Sequence, residues 1–440
     1  MTGLASDNSR GRRTILIILA LALAVRLAWG LTRPTNDAAI DALPDQRDYL
    51  SLAQNLVHGR GLNFLDKRFD DTVWAFRMPG YPLFLAVCGA NVRAVRAVQG
   101  LIDASTVLAI YLLAAILMQG RRGAAIIPLM AATLVAIDPY LIYFSGLLLS
   151  ETLFTAMLAW GMVLLVRGNE GWGGSWLATL VWLCGGILLA LSVLVRPSAA
   201  VLPVVLGLAA AFVNRPETGA YREAARSSEP AGRTQHGRWP LPVGATMVFL
   251  VLASLLPWAL RNRYVLGRWI WLDTNSGFTL YDGYNPDATG GSDQSYIDRE
   301  PELQVLGEIG RSEYLTDKAI EYLNTHRWQA VDLAGVRLKR LWSPMPLSSE
   351  YGGTKYRLIA LAFSVPFDVM ILLGLIWGGM PQTAKVFLLA PAIYFSIIHA
   401  LTVGSLRYRI PVEPPMALIA ASFLAATSSP RPRRRGFDVA

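Results

Sequence analysis

Long apolar blocks recur along this chain, and its charged residues gather in the gaps between them. Blocks of about 20 apolar residues match the roughly 30 Å thickness of the hydrocarbon layer of a bilayer. Charged residues make up only 16% of the 440 residues, whereas soluble domains carry about 25%. The sequence therefore predicts an all-α polytopic membrane protein and excludes a chain of two or three soluble domains.

The cysteines, histidines and net charge exclude several other classes of protein. Cys88 and Cys184 are the only cysteines and each stands in an apolar run, so no disulfide framework is predicted. The four histidines are scattered, without a metal-ligand spacing such as HExxH. The net charge is +9, but the basic residues do not share one face, which argues against a nucleic-acid partner. We expect no cofactor, and the isolated acids give no pattern for a divalent metal.

The apolar blocks predict about ten membrane spans. They run at about residues 14–31, 94–118, 124–144, 151–166, 175–195, 198–213, 241–260, 357–377, 384–402 and 410–427. The first block follows Arg10, Arg12 and Arg13, as in a signal peptide, but no convincing small-residue cleavage site follows it. We therefore interpret it as an uncleaved first helix.

Short basic loops stay cytoplasmic, and this rule orients the chain. Placing the N-terminus inside puts every short basic cluster on one side, from Arg121 and Arg122 to the five arginines of 214–240 and the arginine-rich tail. The expected divisions are a cytoplasmic N-terminus at 1–13, a transmembrane core at 14–213 with an outer loop at 32–80, a cytoplasmic linker at 214–240, a span at 241–260, an outer loop at 261–356, C-terminal spans at 357–427 and a basic cytoplasmic tail at 428–440. A plasma-membrane protein with both termini in the cytoplasm is predicted.

The first outer loop contains an acid at the start of a short helix. Leu52, Ala53 and Leu56 follow Tyr49 at helical spacing, so an amphipathic helix is predicted to begin near Asp45 and to end before Gly59. Such a helix would lie along the membrane interface. An aspartate at this place is also a common helix cap, and the composition leaves both roles open.

An arginine then precedes a proline-rich turn back toward the bilayer. Arg77 stands in the sequence RMPGYP, where its side chain is expected at the membrane surface. Arginines at that depth are commonly interfacial anchors. The alternative is a phosphate clamp, because a guanidinium pairs well with phosphate oxygens.

Two acids lie close to the ends of predicted spans. Glu151 begins a span in an apolar neighbourhood, and Asp138 lies in the sequence AIDPY. An acid at the centre of a membrane helix costs about 2.5–3.5 kcal/mol to insert, so such residues are functional candidates. A solvated helix start is the alternative for Glu151, and a turn is the alternative for Asp138.

Further arginines lie at the expected outer edges of spans, at Arg196, Arg261 and Arg407. Several basic residues near two acids indicate an anion site, although each alone could be an anchor. The loop sequence LDTNSGFTLYDGYNPDATGG that follows Arg261 suits carbohydrate contact, and it suits any irregular loop equally. An amphipathic helix is predicted at about 312–342.

Six short motifs carry a resemblance to a known family: LPDQRDY, RMPGYPLFLA, SETLF, VRPS, PWALRNRY and LRYRIPVEPP. In this order they resemble the membrane-embedded GT-C glycosyltransferases, and especially the bacterial relatives of the protein O-mannosyltransferases (glycosyltransferase family 39). That group includes the lipid A aminoarabinose transferases and the rhizobial-type galacturonosyltransferases. The resemblance covers about 14–425 and is strongest over 37–200. No single motif is specific, but their order and membrane placement argue against chance.

The resemblance implies a GT-C fold, a sugar donor on a polyprenyl phosphate and an extracytoplasmic active site in the core at 14–213. By position it implies Asp45 as the base and Glu151 as a second catalytic acid. Arg77 would contact the donor phosphate, together with Arg196, Arg261 and Arg407. Substrate contacts are expected from Tyr49, Tyr81, Asn262 and Asp138. The aminoarabinose transferases have an arginine where this chain has Asp48, which puts a close substrate match to them in doubt.

The function expected is inverting transfer of a sugar from a polyprenyl-phosphate donor to an extracytoplasmic glycan, lipid or protein. The chain contains no GxxxxGK[ST] loop and no GxGxxG fingerprint opening a helix, which agrees with a lipid-linked rather than a nucleotide-linked donor. A transporter or flippase of a lipid-linked sugar is the main alternative, and a lipid-linked sugar polymerase is a third. Transporters place their charges near the bilayer midplane, whereas here the charges cluster at the outer ends of spans.

Overall fold

The computed structural model describes residues 2–169, 175–213, 240–347 and 353–428. Within these ranges the chain is mostly helical, with one two-stranded sheet. The predicted cytoplasmic linker at 214–240 and the basic tail at 428–440 lie almost wholly outside the described residues.

The membrane-spanning helices lie where the hydropathy predicts them. Eight helices of the described residues are long and apolar enough to cross a bilayer. These helices are Thr2–Thr32, Val92–Leu117, Glu151–Gly168, Trp176–Val193, Pro240–Leu266, Thr354–Trp377, Gln382–Leu401 and Glu413–Ser428, the last preceded by the 3₁₀ helices Leu406–Tyr408 and Ile410–Val412. The 3₁₀ helix Pro197–Ala199 and the helix Leu202–Ala211 form a shorter apolar segment at the predicted sixth span. The predicted fold class and the count of about ten spans are confirmed.

One span is bent by 52° between the helices Ile127–Ile137 and Pro139–Ser145. Asp138 lies at the bend, and its side chain accepts hydrogen bonds from the backbone N–H groups of Tyr140 (2.9 Å) and Leu141 (3.3 Å). Pro139 disfavours a helical conformation at the residue before it, so the first helix ends there. Asp138 therefore caps the second helix, which is the turn role given as its alternative; the substrate contact expected for it stays a prediction.

A fully buried ion pair joins the first two membrane helices, Thr2–Thr32 and Val92–Leu117. The guanidinium of Arg26 contacts the carboxylate of Asp103, and both side chains are shielded from solvent. Arg26 also donates to the backbone carbonyls of Val135 (3.1 Å) and Ala136 (2.9 Å). The bend leaves these two carbonyl oxygens without N–H donors from their own helix. Arg26 supplies the hydrogen bonds instead, at a place where lipid offers no donor.

Two outer segments pack together outside the membrane helices. The first contains the helices Asp37–Asp41 and Pro44–Val57, the antiparallel strands Phe64–Asp66 and Asp71–Val73, and the helix Gly80–Val87; the register pairs Phe64 with Val73 and Asp66 with Asp71. The second contains the helices Asn275–Gly283, Glu302–Val305, Glu308–Thr325 and Arg327–Leu341, with the 3₁₀ helix Ser295–Arg299. Their aromatic and aliphatic residues form a shared core that includes Phe64, Phe76, Phe278 and Leu315.

The helix predicted near Asp45 is confirmed, whereas the single helix predicted at 312–342 is wrong. Two helices stand there, Glu308–Thr325 and Arg327–Leu341, with His326 between them. The hydroxyl of Thr325 donates to the carbonyl of Glu321 at 2.9 Å and lies 2.7 Å from Nδ1 of His326. His326 has φ −124° and ψ 45°, outside the helical region, and this residue separates the two helices.

We expect Asp103→Ala to destabilise the protein by about 3–5 kcal/mol, because it leaves Arg26 charged and unpaired inside the bundle. Replacing both Arg26 and Asp103 by leucine should recover only part of the lost stability, since Arg26 also donates hydrogen bonds to the two carbonyls of the bent span. Thermal unfolding in detergent, followed by size-exclusion chromatography of the surviving fraction, measures the stability of both variants. Asp41→Ala, in a solvent-exposed pair with Arg47, is the control and should change little. A melting temperature for Asp103→Ala equal to that of the wild type would contradict the prediction.

Candidate active site

Three arginines and three carboxylates form one connected network with alternating charge. In order of contact the residues are Asp48, Arg77, Asp45, Arg407, Glu151 and Arg196. They come from the helix Pro44–Val57, the turn before Gly80–Val87, the start of Glu151–Gly168, the residue before Pro197–Ala199, and the 3₁₀ helix Leu406–Tyr408. Five of the six were predicted as site residues from the sequence, and the fold brings them together.

Arg77 joins the two acids of the helix Pro44–Val57. Its Nη2 donates to Oδ1 of Asp45 at 2.5 Å and to Oδ2 of Asp48 at 2.7 Å. The two acids are three residues apart and therefore share one face of the helix. The N-cap of this helix is Leu43, so the carboxylate of Asp45 faces arginines rather than serving as the cap. The guanidinium of Arg77 also lies over the ring of Tyr49, with 5.6 Å to its centroid.

Arg407 connects the two predicted catalytic acids. Its Nη1 donates to Oδ2 of Asp45 at 2.6 Å, and its Nε donates to Oε1 of Glu151. Glu151 is fully buried, which rules out the alternative of a solvated helix start. Arg196 lies 3.5 Å from the same Glu151 oxygen and over the ring of Tyr408. A buried carboxylate needs such partners, because an isolated charge out of water is costly.

A close backbone approach at Gly80 sets the distance between the two halves of the network. Its N–H donates to the carbonyl of Leu194 at 2.8 Å. A Cβ at this position would lie 2.8 Å from the carbonyl carbon and oxygen of Leu194, too close for any side chain. Glycine therefore lets the turn that carries Arg77 pack against the segment that leads to Arg196.

The pKa values of the two acids of the helix Pro44–Val57 are shifted in opposite directions. Burial by itself would raise the pKa of Asp45, but the guanidiniums of Arg77 and Arg407 outweigh burial and hold this pKa well below its usual range. For Asp48 burial prevails over the attraction of Arg77 and raises the pKa. Asp45 is consequently a permanent negative charge and a weak base.

A cavity of about 330 Å³ adjoins the network at Arg407. Its walls are mostly apolar and aromatic, and three cations stand among them; the lining includes Trp29, Ile137, Tyr140, Tyr143, Leu347, Tyr356 and Ile359 together with Arg340, Lys355 and Arg407. Ile137 and Ile359 are exposed apolar side chains on membrane spans, so this side of the cavity faces lipid. Such a space accommodates an amphiphile with an apolar chain and an anionic head.

Four predicted site residues lie in other contacts. Tyr81 is buried and donates its hydroxyl hydrogen to Gln99 at 2.5 Å. Arg261 donates to the backbone carbonyls of Leu62 (2.6 Å) and Trp74 (2.7 Å), and Asn262 donates to that of Ile270. Asp138 caps a helix, as described above. The structure places these four side chains outside the charged network, whereas Tyr49 lies against Arg77; the substrate and phosphate contacts expected for the four stay predictions.

Two acids that were not predicted from the sequence lie where the second outer segment meets the chain that leads to Arg77. The carboxylate of Glu308 accepts hydrogen bonds from the N–H groups of Trp74 (2.7 Å) and Ala75 (2.8 Å) and from the hydroxyl of Thr274 (2.6 Å). This places Asp273 near Arg77, whose charge acts on it. Asp273 stands in the loop sequence LDTNSG, which has no local signal beyond its polarity.

The carboxylates of the network face guanidinium groups rather than one another. Among the residues that the structure describes, no three His, Cys, Asp or Glu side chains are grouped to hold a metal ion. The expectation of no cofactor stays a prediction, and a divalent metal, which the isolated acids of the sequence disfavour, stays an open question.

Comparison with known proteins identifies the fold. The chain matches no family model, and no curated protein matches its sequence. The oligosaccharyltransferase of Archaeoglobus fulgidus in its apo form aligns with 93% of this chain and 50% of its own, with a TM-score of 0.53 and 14% identity. The same enzyme in complex with zinc and sulfate aligns with 92% of this chain and 48% of its own, with a TM-score of 0.51 and 13% identity.

A third solved structure is ArnT from Cupriavidus metallidurans bound to undecaprenyl phosphate, which aligns with 93% of this chain and 77% of its own at a TM-score of 0.38 and 14% identity. The present chain spans about half the length of the oligosaccharyltransferase. The two structures of the oligosaccharyltransferase, with TM-scores above 0.5, show a fold of the membrane GT-C type, as the sequence motifs predicted.

We expect Glu308→Ala to loosen the contact between the two outer segments. It leaves the N–H groups of Trp74 and Ala75 without their acceptor, at about 1–3 kcal/mol each. Hydrogen exchange measured on peptides that contain residues 74 and 75 should become faster, while exchange in the membrane helices stays the same. Glu321→Ala, an exposed position on the same helix, is the matched control. Unchanged exchange at 74 and 75 would show that Glu308 does not hold this contact.

Proposed function

We propose that this protein is an integral membrane glycosyltransferase. It moves a sugar from a polyprenyl-phosphate donor to a hydroxyl of an extracytoplasmic glycan, lipid or protein, with inversion at the anomeric carbon. The observation that carries the proposal is the position of Arg407, which lines the apolar cavity and also contacts Asp45 and Glu151. A lipid phosphate at this residue would place the bound sugar next to two carboxylates.

The cavity supports a donor with a lipid tail and a phosphate head. Its aromatic and aliphatic walls suit a polyprenyl chain, and Arg340, Lys355 and Arg407 supply positive charge at its polar part. Guanidinium groups bind phosphate oxygens in pairs of hydrogen bonds. Arg77, which the motif resemblance proposes as a further phosphate contact, lies on the other side of Asp45 and binds two carboxylates in the resting site.

The chemistry of the leaving group fits a site rich in arginine. When the bond between the anomeric carbon and the phosphate oxygen breaks, the lipid phosphate leaves as a stable anion, since its second pKa is near 6. Positive charge grows on the sugar ring at the same time, as in glycoside chemistry generally. Preorganised arginines stabilise the departing phosphate, and the permanent negative charge of Asp45 stabilises the ring.

Asp45 has a second proposed role, as the base that the motif resemblance assigns to it. Its low pKa opposes this role while both arginines bind it. A donor phosphate that took over the hydrogen bond from Nη1 of Arg407 would leave Asp45 with one guanidinium and strengthen it as a base. Glu151 would keep Arg407 and Arg196 in place throughout, and through them position the donor.

The fold and the topology support the same class of enzyme. The oligosaccharyltransferase that shares this fold is a glycosyl-transferring enzyme by name. The positive-inside rule places the network and both long loops on the extracytoplasmic side of the plasma membrane, with both termini in the cytoplasm. A flippase of lipid-linked sugars would also use an apolar cavity with a cationic end, so it is the second candidate.

We expect Asp45→Asn to abolish transfer, with a loss on the order of a thousand-fold, because it removes the negative charge beside the reacting carbon. Purified protein in lipid is offered a panel of polyprenyl-phosphate sugars and nucleotide sugars, and release of polyprenyl phosphate is measured. Asp41→Asn, on the preceding helix and outside the network, is the control. Turnover retained in Asp45→Asn would refute its role, and sugar translocation without transfer would favour the flippase.

We expect Arg407→Ala to weaken donor binding about 10- to 100-fold, because it removes the cation shared by the cavity and the network. Arg77→Ala distinguishes two proposed roles of Arg77. A large loss of turnover with a donor affinity close to that of the wild type would identify Arg77 as the partner of Asp45. A weaker donor affinity would identify it as a phosphate clamp. Binding of a non-hydrolysable donor analogue is measured beside turnover. Arg268→Ala, an exposed outer arginine paired with Glu313, is the control. Unchanged donor affinity in Arg407→Ala would refute the placement of the phosphate.

A further inference from the structure

We propose that Asp48 selects the acceptor. It accepts a hydrogen bond from a hydroxyl beside the one that reacts, and it repels acceptors that carry a negative charge at that place. This role rests on the proposed function and deepens it, because it names the class of acceptor, an uncharged carbohydrate. It is supported by the exposure of the network at this end, by the contacts of Asp48 with Arg77 and by the pairing of the cations nearby.

The charged network is closed at one end and open at the other. The side chains of Glu151 and Arg196 are 0% and 8% exposed. Those of Asp45 and Asp48, toward the other end, are 28% and 20% exposed. Arg407 lines the apolar cavity, whereas the two aspartates are not part of its wall. An acceptor that meets the sugar on the face opposite the phosphate, as inversion requires, would therefore arrive at the open end.

Asp48 has one bound oxygen and one oxygen available to a ligand. Arg77 donates from Nη2 at 2.7 Å and from Nε at 3.2 Å, and both hydrogen bonds end at Oδ2 of Asp48. Within the described ranges, no side chain or backbone group donates to its Oδ1. Asp45 differs, since Arg77 binds its Oδ1 and Arg407 binds its Oδ2. Oδ1 of Asp48 can therefore accept a hydrogen bond from a hydroxyl of the acceptor.

The spacing of the two aspartates suits neighbouring hydroxyls of one sugar ring. Asp45 and Asp48 share one face of their helix, where residues three apart have Cβ atoms about 5–6 Å from each other. One hydroxyl can then lie at Asp45 as the nucleophile while the next donates to Asp48. A serine or threonine side chain offers a single hydroxyl and cannot make both contacts. The pair of acids therefore favours a carbohydrate acceptor over a protein.

The cations beside Asp48 already have carboxylate partners. Arg77 binds Asp45 as well as Asp48. Arg68, whose charge also acts on Asp48, donates to both carboxylate oxygens of Asp66, at 2.9 and 2.6 Å. An anionic group of an acceptor would meet the charge of Asp48 while both of these guanidiniums are engaged. Such a group would lose its hydration without gaining a partner, which is costly.

The test compares acceptors that differ in one charge. Purified protein in lipid is given an undecaprenyl-phosphate sugar from which the wild type releases lipid phosphate, with methyl hexopyranosides or the matched methyl hexopyranosiduronates as acceptors. Low salt preserves the repulsion, and pH 8 favours the ionised form of Asp48, whose pKa is raised by burial. We expect kcat/KM of the wild type to be about 100-fold lower for the uronate than for the neutral glycoside.

Two substitutions of Asp48 separate its charge from its hydrogen bond. Asp48→Asn keeps the size and an acceptor oxygen but removes the charge, so it should lower the preference for the neutral glycoside about 10-fold. It also leaves Arg77 with one acid, which acts in the same direction. Asp48→Ala removes the acceptor oxygen as well and should raise KM for the neutral glycoside about 10-fold, while the affinity for undecaprenyl phosphate stays unchanged.

Asp41→Asn is the matched control. Asp41 is an exposed acid on the preceding helix, paired with Arg47 and outside the network. Its substitution removes the same charge, so the ratio between the two acceptors should match that of the wild type. A change that merely loosened the outer segment would lower turnover with both acceptors and leave this ratio unchanged.

Three results would overturn the proposal. A wild type that uses the uronate as well as the neutral glycoside decides the matter even where the variants do not fold. A wild-type ratio retained in Asp48→Asn would show that its charge does not select the acceptor. Turnover with a serine peptide, a lipid or water but with no glycoside would refute the carbohydrate acceptor. A wild type that releases no lipid phosphate from any donor would instead refute the proposed function itself.

Discussion

The contact of Arg407 with Asp45 and Glu151 is the interaction on which the rest of this structure depends. The three residues belong to the first outer segment, the start of the helix Glu151–Gly168 and the approach to the last span. Glu151 is fully buried, and a charge so placed is tolerated only with a bound partner. The ion pairs therefore fix how the outer segment sits on the membrane helices, and they place a cation at the edge of the apolar cavity.

Other contacts of the fold hold the residues of this network in their relative positions. Arg26 and Asp103 stabilise the bent span whose residue Tyr140 forms part of the cavity wall. Gly80 permits the approach that sets Arg77 relative to Arg196. Glu308 connects the second outer segment to the backbone just before Arg77. Each contact joins segments far apart in the sequence, so the site is assembled by tertiary packing rather than by a local motif.

The surroundings of the carboxylates in the network shift their pKa values in opposite directions. The guanidiniums of Arg77 and Arg407 hold the pKa of Asp45 well below its usual range, so this carboxylate stays ionised. For Asp48, three residues further along the same helix, burial prevails over the attraction of Arg77 and raises the pKa. The same fold thus gives neighbouring acids of one residue type different chemistry, through burial in one case and bound cations in the other.

The sequence by itself determined the membrane spans, the helix beginning near Asp45 and five of the six residues of the network, because hydropathy and charge at span ends are local properties. It failed at His326, where two helices replace the one predicted, and it did not identify Asp273 or Glu308. Only the tertiary structure decided which charges meet: Arg407 is separated from Glu151 by 256 residues and from Asp45 by 362. The physical reason is that an ion pair depends on distance in space, and spacing along the chain carries no record of it.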